Sequence, residues 1–188
     1  REVFRGIVEM DSNPTALQLQ TVANIEEIII DSKTVITSLE PLTKLLYLKK
    51  LVIKENHITD LSPLSDLKQL QELNINGNAI NDLSVLAKVK TLEVLSIENT
   101  SIIDLNPLEN MKKLRVLDIA NTNIKNIKVL SNCAALEELN IANTNVRSLS
   151  PVDKISTLRY IKAFSTKIKA KEIEALRSKR PELNIIYH

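Results

Sequence analysis

The sequence has little of the residue types on which catalytic motifs and tight turns depend. Its 188 residues include two Gly, two His, one Cys and no Trp, and aromatic residues make up 3%. Two Gly cannot supply a glycine-rich phosphate loop, a dinucleotide fingerprint or a GxSxG turn, and none of these occurs. They also exclude a fold built on tight glycine hairpins. With so few aromatics, the core must be aliphatic, and Leu, Ile and Val are plentiful.

Long apolar runs are missing as well. No segment reaches the roughly 18 apolar residues that a membrane-spanning helix needs. The sequence starts at Arg1 without an initiator Met or an apolar signal segment. We interpret it as a processed protein or a piece of a longer one, so its start says little about the compartment.

A repeat of 22 residues organises the chain. Five copies follow the pattern LxxLxxLxIxxNxIxDLSPLxx and start at Leu45, Leu67, Val89, Met111 and Cys133. A copy one residue longer precedes them, with core positions at Ile25, Ile28, Ile30, Val35, Leu39 and Pro41. A last copy starts at Ile155 and departs from the pattern after Ile168. Self-similarity at a fixed period of this length is the mark of a repeat architecture.

Each repeat predicts a strand, a turn and a short helical return. A triplet such as Leu51-Val52-Ile53 points two side chains inward and one outward, which is the period of a strand. The polar residue that follows, such as Asn56, ends the strand by bonding backbone groups. Ser62-Pro63 predicts a cap and the first position of a helical turn. One repeat cannot bury its leucines alone, so the repeats must stack into a continuous parallel sheet.

This pattern resembles the 22-residue class of leucine-rich repeats found in bacterial internalins and in a regulatory subunit of a eukaryotic protein phosphatase. The resemblance implies an α/β fold, a right-handed curved solenoid with a concave parallel β-sheet and short helical or 3-10 turns on the convex side. It also implies protein binding on the concave sheet. One departure is that Asn56 and Asn78 give way to Thr100, Thr122, Thr144 and Thr166. A Thr hydroxyl can donate to a backbone carbonyl, although it cannot both donate and accept as an amide does.

The chain divides into three predicted parts: an N-terminal cap or remnant of an upstream region, seven leucine-rich repeats and a C-terminal cap, over residues 1–21, 22–168 and 169–188. In the last part, Lys169–Lys179 predicts an amphipathic helix and Leu183–Tyr187 a final strand. A solenoid needs caps because its end repeats otherwise expose core and strand edges.

Residues with catalytic or metal-binding chemistry are isolated along the chain. His57 and His188 have no partner at the spacing of a metal site or a catalytic triad. Cys133 falls on a core position, which favours a small buried hydrophobe over a reactive thiol. The column Asp60, Asp82 and Asp104 is explained better by capping of the helical turns than by calcium binding. We therefore expect no enzyme activity, no catalytic residue, no metal and no cofactor.

The fixed register allows the side chains of the concave face to be predicted. A small apolar patch is expected from Val94, Val116, Ala120 and Ala142, ringed by Glu98, Asp118 and Glu138. Tyr160 and Phe164 are expected to face outward beside Lys162, an arrangement typical of interface hot spots. Packing of both aromatics under the C-terminal cap is an equally consistent interpretation. The residues selected as partner-binding are Val94, Val116, Asp118, Glu138, Tyr160, Lys162 and Phe164.

Charge is distributed unevenly. From Lys154 to the end, nine Lys or Arg stand against three Glu, whereas the residues before Lys154 carry a net charge of −4. Such a run is usually a solvated helix face, and its alternatives are contact with an acidic partner or a membrane surface. No known nucleic-acid-binding motif accompanies it, so nucleic acid is not expected as a partner.

Together these observations predict a monomeric, non-catalytic protein–protein interaction module that binds a protein partner on the concave face. The alternatives are a structural or spacer domain of a larger protein and a regulatory domain of a multidomain enzyme. The aromatic-poor concave face favours the spacer somewhat. The xNTxI turns and the ending KEIEALRxxxPELxI resemble bacterial sequences, for which the cell surface or secretion is the expected location.

Overall fold

The computed structural model describes residues 24–30 and 35–187. Their strands form one open, parallel, eight-stranded sheet in sequence order. The strands are β1 (Glu27–Ile30), β2 (Lys50–Ile53), β3 (Glu72–Asn74), β4 (Val94–Ser96), β5 (Val116–Asp118), β6 (Glu138–Asn140), β7 (Tyr160–Lys162) and β8 (Asn184–Ile186). Strands β1 to β5 are each followed by a short 3-10 segment, namely Glu40–Lys44, Ser62–Asp66, Ser84–Lys88, Asn106–Leu108 and Lys128–Asn132. The predicted solenoid with a parallel sheet and short turns is confirmed.

The register confirms the repeat and corrects one of its positions. From β2 to β7, paired residues are 22 apart, as in Leu51 with Leu73, whereas Ile28 of β1 pairs with Leu51. The extra residue of the first copy therefore follows β1. Ile36, rather than Val35, takes the core position, because Val35 is 70% exposed and Ile36 is buried. The prediction of Val35 as a core residue is wrong: the extra residue lies before Ile36 and shifts the core position by one.

The core is a single cluster of aliphatic side chains stacked in columns. The inward residues of the strands are fully buried, among them Leu51, Leu73, Leu95, Leu117 and Leu139. The return segments contribute a second column, Leu42, Leu64, Leu86, Leu108 and Leu130. Burying one such side chain contributes about 2 kcal/mol. The repeats are therefore held together mainly by leucine and isoleucine from neighbouring copies.

Buried polar side chains close the end of each strand. The amide nitrogen of Asn78 donates to three backbone carbonyls, and its amide oxygen accepts from the Ile58 N–H at 3.0 Å. Thr122 donates its hydroxyl to the Ile119 carbonyl at 2.7 Å. The same bond recurs at Thr100, Thr144 and Thr166. Threonine thus replaces the donor function of asparagine, as predicted.

The residue before each of these polar side chains has a left-handed backbone. The positive φ angles lie between 51° and 69° at Glu55, Gly77, Asn99, Asn121, Asn143 and Ser165. Glycine and asparagine tolerate this conformation better than other residues. It directs the Asn99 N–H to the Ala120 carbonyl in the next repeat, at 3.1 Å. The asparagines of this column therefore serve backbone geometry.

The aspartate column caps the return segments. Asp60 Oδ1 accepts from the Ser62 N–H at 2.8 Å, and the Ser62 hydroxyl donates to Asp60 Oδ2. These bonds, chiefly the one from the hydroxyl, hold the pKa of Asp60 below its usual range. Asp82 and Asp104 accept from the equivalent N–H groups of Ser84 and Asn106. Ser62 itself is the first residue of its segment rather than the cap.

The C-terminal end combines the helix α1 (Ala170–Lys179) with β8. Arg180, which follows α1, is 8% exposed. Its guanidinium donates to the carbonyls of Asp153, Ile155 and Leu158 and pairs with Glu182 at 2.9 Å. The end of α1 is thereby tied to the last repeat. The predicted N-terminal part, residues 1–21, lies outside the described residues. In the part of the chain that is described, no helix is long and apolar enough to span a membrane.

The strand-end bonds predict unequal costs of substitution. Asn78→Ala removes four hydrogen bonds and leaves buried backbone groups without partners, so it should lower the free energy of unfolding by about 3 kcal/mol. Thr122→Ala removes one bond and should cost about 1 kcal/mol. Urea unfolding followed by far-ultraviolet circular dichroism measures both. Equal losses would contradict the assigned difference between the two columns.

The left-handed backbone predicts that exchanging Glu and Asn between two of these positions changes the free energy of unfolding in opposite directions. Glu55→Asn should raise the free energy of unfolding by about 1 kcal/mol, because asparagine tolerates positive φ at lower cost. Asn99→Glu should lower it by a similar amount. The same urea titrations test this pair. If neither Glu55→Asn nor Glu55→Gly raises the free energy of unfolding, the backbone at Glu55 carries no strain.

Candidate functional site

The concave face is the outward-pointing side of the sheet, and its strands contribute two stripes of side chains. The first stripe is Glu27, Lys50, Glu72, Val94, Val116, Glu138, Tyr160 and Asn184. The second is Ile29, Val52, Asn74, Ser96, Asp118, Asn140, Lys162 and Ile186. Neighbours in a stripe are one strand apart, about 4.8 Å. Six of the seven predicted site residues lie in these stripes, and Phe164 follows β7.

The apolar patch on this face is smaller than predicted. Val94 and Val116 pair directly and are half-buried. Ala120 and Ala142 are only 4% and 1% exposed, so their expected place in an accessible patch is wrong. Asp118 Oδ1 accepts from the Ala120 N–H at 2.9 Å, and an equivalent bond protects the Ala142 N–H.

The three acidic residues around the valines differ in their engagement. Asp118 uses both oxygens within the chain, because its Oδ2 also accepts from Asn140 Nδ2 at 3.0 Å. Glu98 accepts from the amides of Asn76 and Asn121. Glu138 is exposed, and within residues 24–30 and 35–187 no hydrogen bond or ion pair engages its carboxylate. Of the three carboxylates, that of Glu138 therefore has the fewest contacts within the described residues.

Tyr160, Lys162 and Phe164 form a group at the C-terminal end of the concave face. All three side chains are half-buried, and Lys162 Nζ lies 5.8 Å from the centroid of the Tyr160 ring. Asn184 of β8 stands beside Tyr160 in register. Strand β8 therefore lies directly beside this group. The half-burial of both aromatics agrees fully with neither of the two sequence-based interpretations.

Ion pairs neutralise charge elsewhere on the face and along its margin. Lys50 lies between Glu27, at 3.1 Å, and Glu72, at 3.7 Å. Its hydrogen bond to Glu27, with the charge of Glu72, raises the pKa of Lys50. At the margin, Arg115 donates two hydrogen bonds to Glu137, at 3.0 and 2.9 Å, and these hold the pKa of the Glu137 carboxyl below its usual range. The end of the face at β1–β3 is thus largely self-neutralised.

The described residues offer little for catalysis. Among them, no group of three His, Cys, Asp or Glu side chains could hold a metal ion. Cys133 is fully buried, and burial raises the pKa of its thiol to about 11. His57 is exposed on a turn, and His188 lies outside the described residues.

Sequence and structure comparisons bear on the family. The model of leucine-rich repeats matches residues 48–88, 90–132 and 112–154, which together make up more than half of the chain. Comparison with curated proteins gives no significant match.

Solved structures with the same fold come from bacteria and plants. An internalin of Listeria monocytogenes is 22% identical with a TM-score of 0.75, and the match covers 99% of this chain and 61% of that one. Internalin C2 of the same species is 21% identical with a TM-score of 0.73, and the match covers 100% of this chain and 91% of that one. A third structure is the leucine-rich-repeat ectodomain of a membrane receptor kinase of Arabidopsis thaliana, in complex with Casparian strip integrity factor 2. It is 17% identical with a TM-score of 0.72, and the match covers 90% of this chain and 22% of that one.

The chain thus spans less than two thirds of the first of these internalins, and at such identities the likeness shows the fold alone. The family follows from the match of the repeat model to most of the repeats, together with the open parallel sheet and its 3-10 returns. The chain belongs to the leucine-rich repeat family.

Proposed function

We propose that the chain is a protein-binding module and that its concave face receives the partner. Leucine-rich repeat domains are commonly protein-interaction modules, because their solenoids create extended concave surfaces. The observation that carries the proposal is the unbroken run of Val94, Val116, Glu138 and Tyr160 in the first stripe. Apolar, acidic and aromatic side chains stand there side by side on four successive strands.

The run offers the elements of a compact binding site. Val94 and Val116 form a pair whose remaining exposed surface can be removed from water, at about 25 cal/mol for each Å² buried. Tyr160 supplies a large side chain with a polar end, which interface hot spots favour. Lys162 and Phe164 extend the contact beyond it. A protein partner can therefore find an apolar anchor and charged groups of both signs within four strands.

The distribution of ion pairs supports a contact on β4–β7. At β1–β3 the charge of Lys50 is already balanced by Glu27 and Glu72. In the proposed site, Glu138 forms no close ion pair among the described residues, although its charge acts on Arg115. Asp118 is retained in the site, but its two internal hydrogen bonds make it a support for the surface. We assign the direct acidic contact to Glu138.

The alternative is a structural or spacer domain that binds nothing tightly on this face. Its support is the scarcity of aromatics, since Tyr160 is the only aromatic side chain in the two stripes. A regulatory domain of a multidomain enzyme would still use the proposed face, with the enzyme as its partner. Capture of a partner therefore separates the spacer from both binding roles.

We predict that a double substitution on the concave face abolishes partner capture. The purified chain serves as bait in lysate and secreted fractions of the source organism, beside a Val116→Glu/Tyr160→Ala variant. The matched control is Ile103→Glu/Tyr47→Ala, which makes the same chemical changes at two exposed positions outside the strands. Retention should fall tenfold or more with the concave variant and stay unchanged with the control.

A photo-crosslinking residue at position 116 or 103 provides a second measurement. The proposal expects the captured protein to crosslink from position 116 and not from 103. Retention that falls equally in both double variants, crosslinking from position 103 alone, or no retained protein would reject the concave site. Each variant is first shown to fold by its circular dichroism spectrum and unfolding midpoint.

A further inference from the structure

The turns that follow the strands change their charge halfway along the solenoid. The column that holds Asp60, Asp82 and Asp104 continues as Asn126 and Ser148. The capping bond is kept, because Asn126 Oδ1 accepts from the Lys128 N–H at 2.8 Å and Ser148 Oγ from the Ser150 N–H at 3.1 Å. The negative charge is lost while the geometry remains.

The neighbouring column changes in the same direction at the same repeats. Where earlier copies have Thr59, Asn81 and Ile103, later copies have Lys125, Arg147 and Lys169, all exposed. Backbone hydrogen bonds hold these turns in register: the Asn145 N–H donates to the Ile124 carbonyl and the Lys167 N–H to the Val146 carbonyl, both at 2.9 Å. The three cations therefore stand one repeat apart, at steps of about 4.8 Å.

A cleft opens between the return segments of these same repeats. Its volume is ≈ 670 Å³, and its polar lining consists of Asn126, Lys128, Ser131, Ser150, Lys154 and Ser156. The cleft one repeat earlier shares Asn126, Lys128 and Ser131 with it and is also lined by Asp104 and Glu109, and the one that follows is lined in part by Asp153 and Glu172. Of the three, the middle cleft has no carboxylate in its lining. We call this cleft, together with Lys125 and Arg147 of the turns that precede its return segments, the basic cleft.

The cations of the basic cleft form no close ion pairs within the described chain, although Lys128 also lines the neighbouring cleft that contains Asp104 and Glu109. None of Lys125, Lys128, Arg147 and Lys154 takes part in an ion pair there, whereas Lys50 and Arg115 are paired on the sheet side. A cleft lined by charges of one sign concentrates counter-ions of the other sign. The repeats thus contain an electropositive recess that their earlier copies lack.

We propose that the basic cleft binds the sulfate or phosphate groups of an anionic polysaccharide. Lysine ammonium groups bind such oxyanions as point charges. The serine hydroxyls and the Asn126 amide can exchange hydrogen bonds with sugar hydroxyls. The lining has no aromatic side chain, so it lacks both the anchor typical of protein hot spots and the stacking platform used for single-stranded nucleic acid.

The stacked rows favour a polymer over a single ion. A chain with several charged groups can contact Lys125, Arg147 and the lysines of the cleft at once, and each further contact is then intramolecular. This site is separate from the concave face, because its residues belong to the turns and return segments rather than to the strands. The polysaccharide-binding proposal does not depend on the proposed protein-binding function.

The test is titration of the chain with a fluorescent, size-defined heparin oligosaccharide, followed by anisotropy. We expect binding that weakens as salt is added. Lys128→Ser and Lys154→Asn install the residues found in equivalent positions of other copies, Ser62 and Asn132, and each should weaken binding about tenfold. Asn126→Asp restores the aspartate of the earlier copies, so it should keep the capping bond and the unfolding midpoint while weakening binding.

A control variant and control probes are titrated in the same way. Lys54→Ser removes one exposed lysine beyond the end of β2 and should leave binding unchanged. The proposal is overturned if the wild type does not bind, or if Lys54→Ser weakens binding as much as Lys128→Ser. It is also overturned if a desulfated oligosaccharide, inorganic sulfate at equal sulfate concentration or a single-stranded oligonucleotide of equal charge binds as well as the sulfated probe.

Discussion

Backbone hydrogen bonds from one turn to the next hold every repeat in the same register. The Ile97 N–H donates to the Asp118 carbonyl and the Asn99 N–H to the Ala120 carbonyl, and equivalent bonds recur along the chain. The second of these bonds depends on the left-handed backbone at Asn99. Because the register is common to all copies, leucines align with leucines in the core and surface residues align in stripes. Each surface of the solenoid is therefore a set of columns that can vary separately.

That separation explains how one scaffold carries two different surfaces. On the sheet side, the inward residues make the core and leave the outward positions free for Val94, Val116 and Tyr160. On the turn side, the structural requirement is a hydrogen-bond acceptor for the start of each return segment. Asp60 and Asn126 meet it equally well, at 2.8 Å in both cases. Charge at this position can thus change without altering the fold.

Most of the architecture was predictable because the period of the side chains determines which of them are buried. The triplet Leu51-Val52-Ile53 is enough to place a strand and its faces. The prediction for Val35 is wrong because Val35 and Ile36 are both apolar and the sequence does not distinguish them. The burial of Ile36 and the hydrogen bond of the His57 N–H to its carbonyl identify Ile36 as the aligned residue. The left-handed backbone at Asn99 was not predicted either, since φ is not visible in composition.

The candidate site was less predictable than the scaffold. The register assigned Asp118 to the outer face correctly, but it could not show that both of its oxygens bond within the chain. The sequence predicts accessible apolar surface at Ala120 and Ala142, whereas the structure leaves them only 4% and 1% exposed. Cys133, the only thiol, has one further consequence: fully buried and with a raised pKa, it is almost entirely protonated at neutral pH and closed to oxidants. The fold therefore involves no disulfide within the chain and exposes no thiol on its described surface.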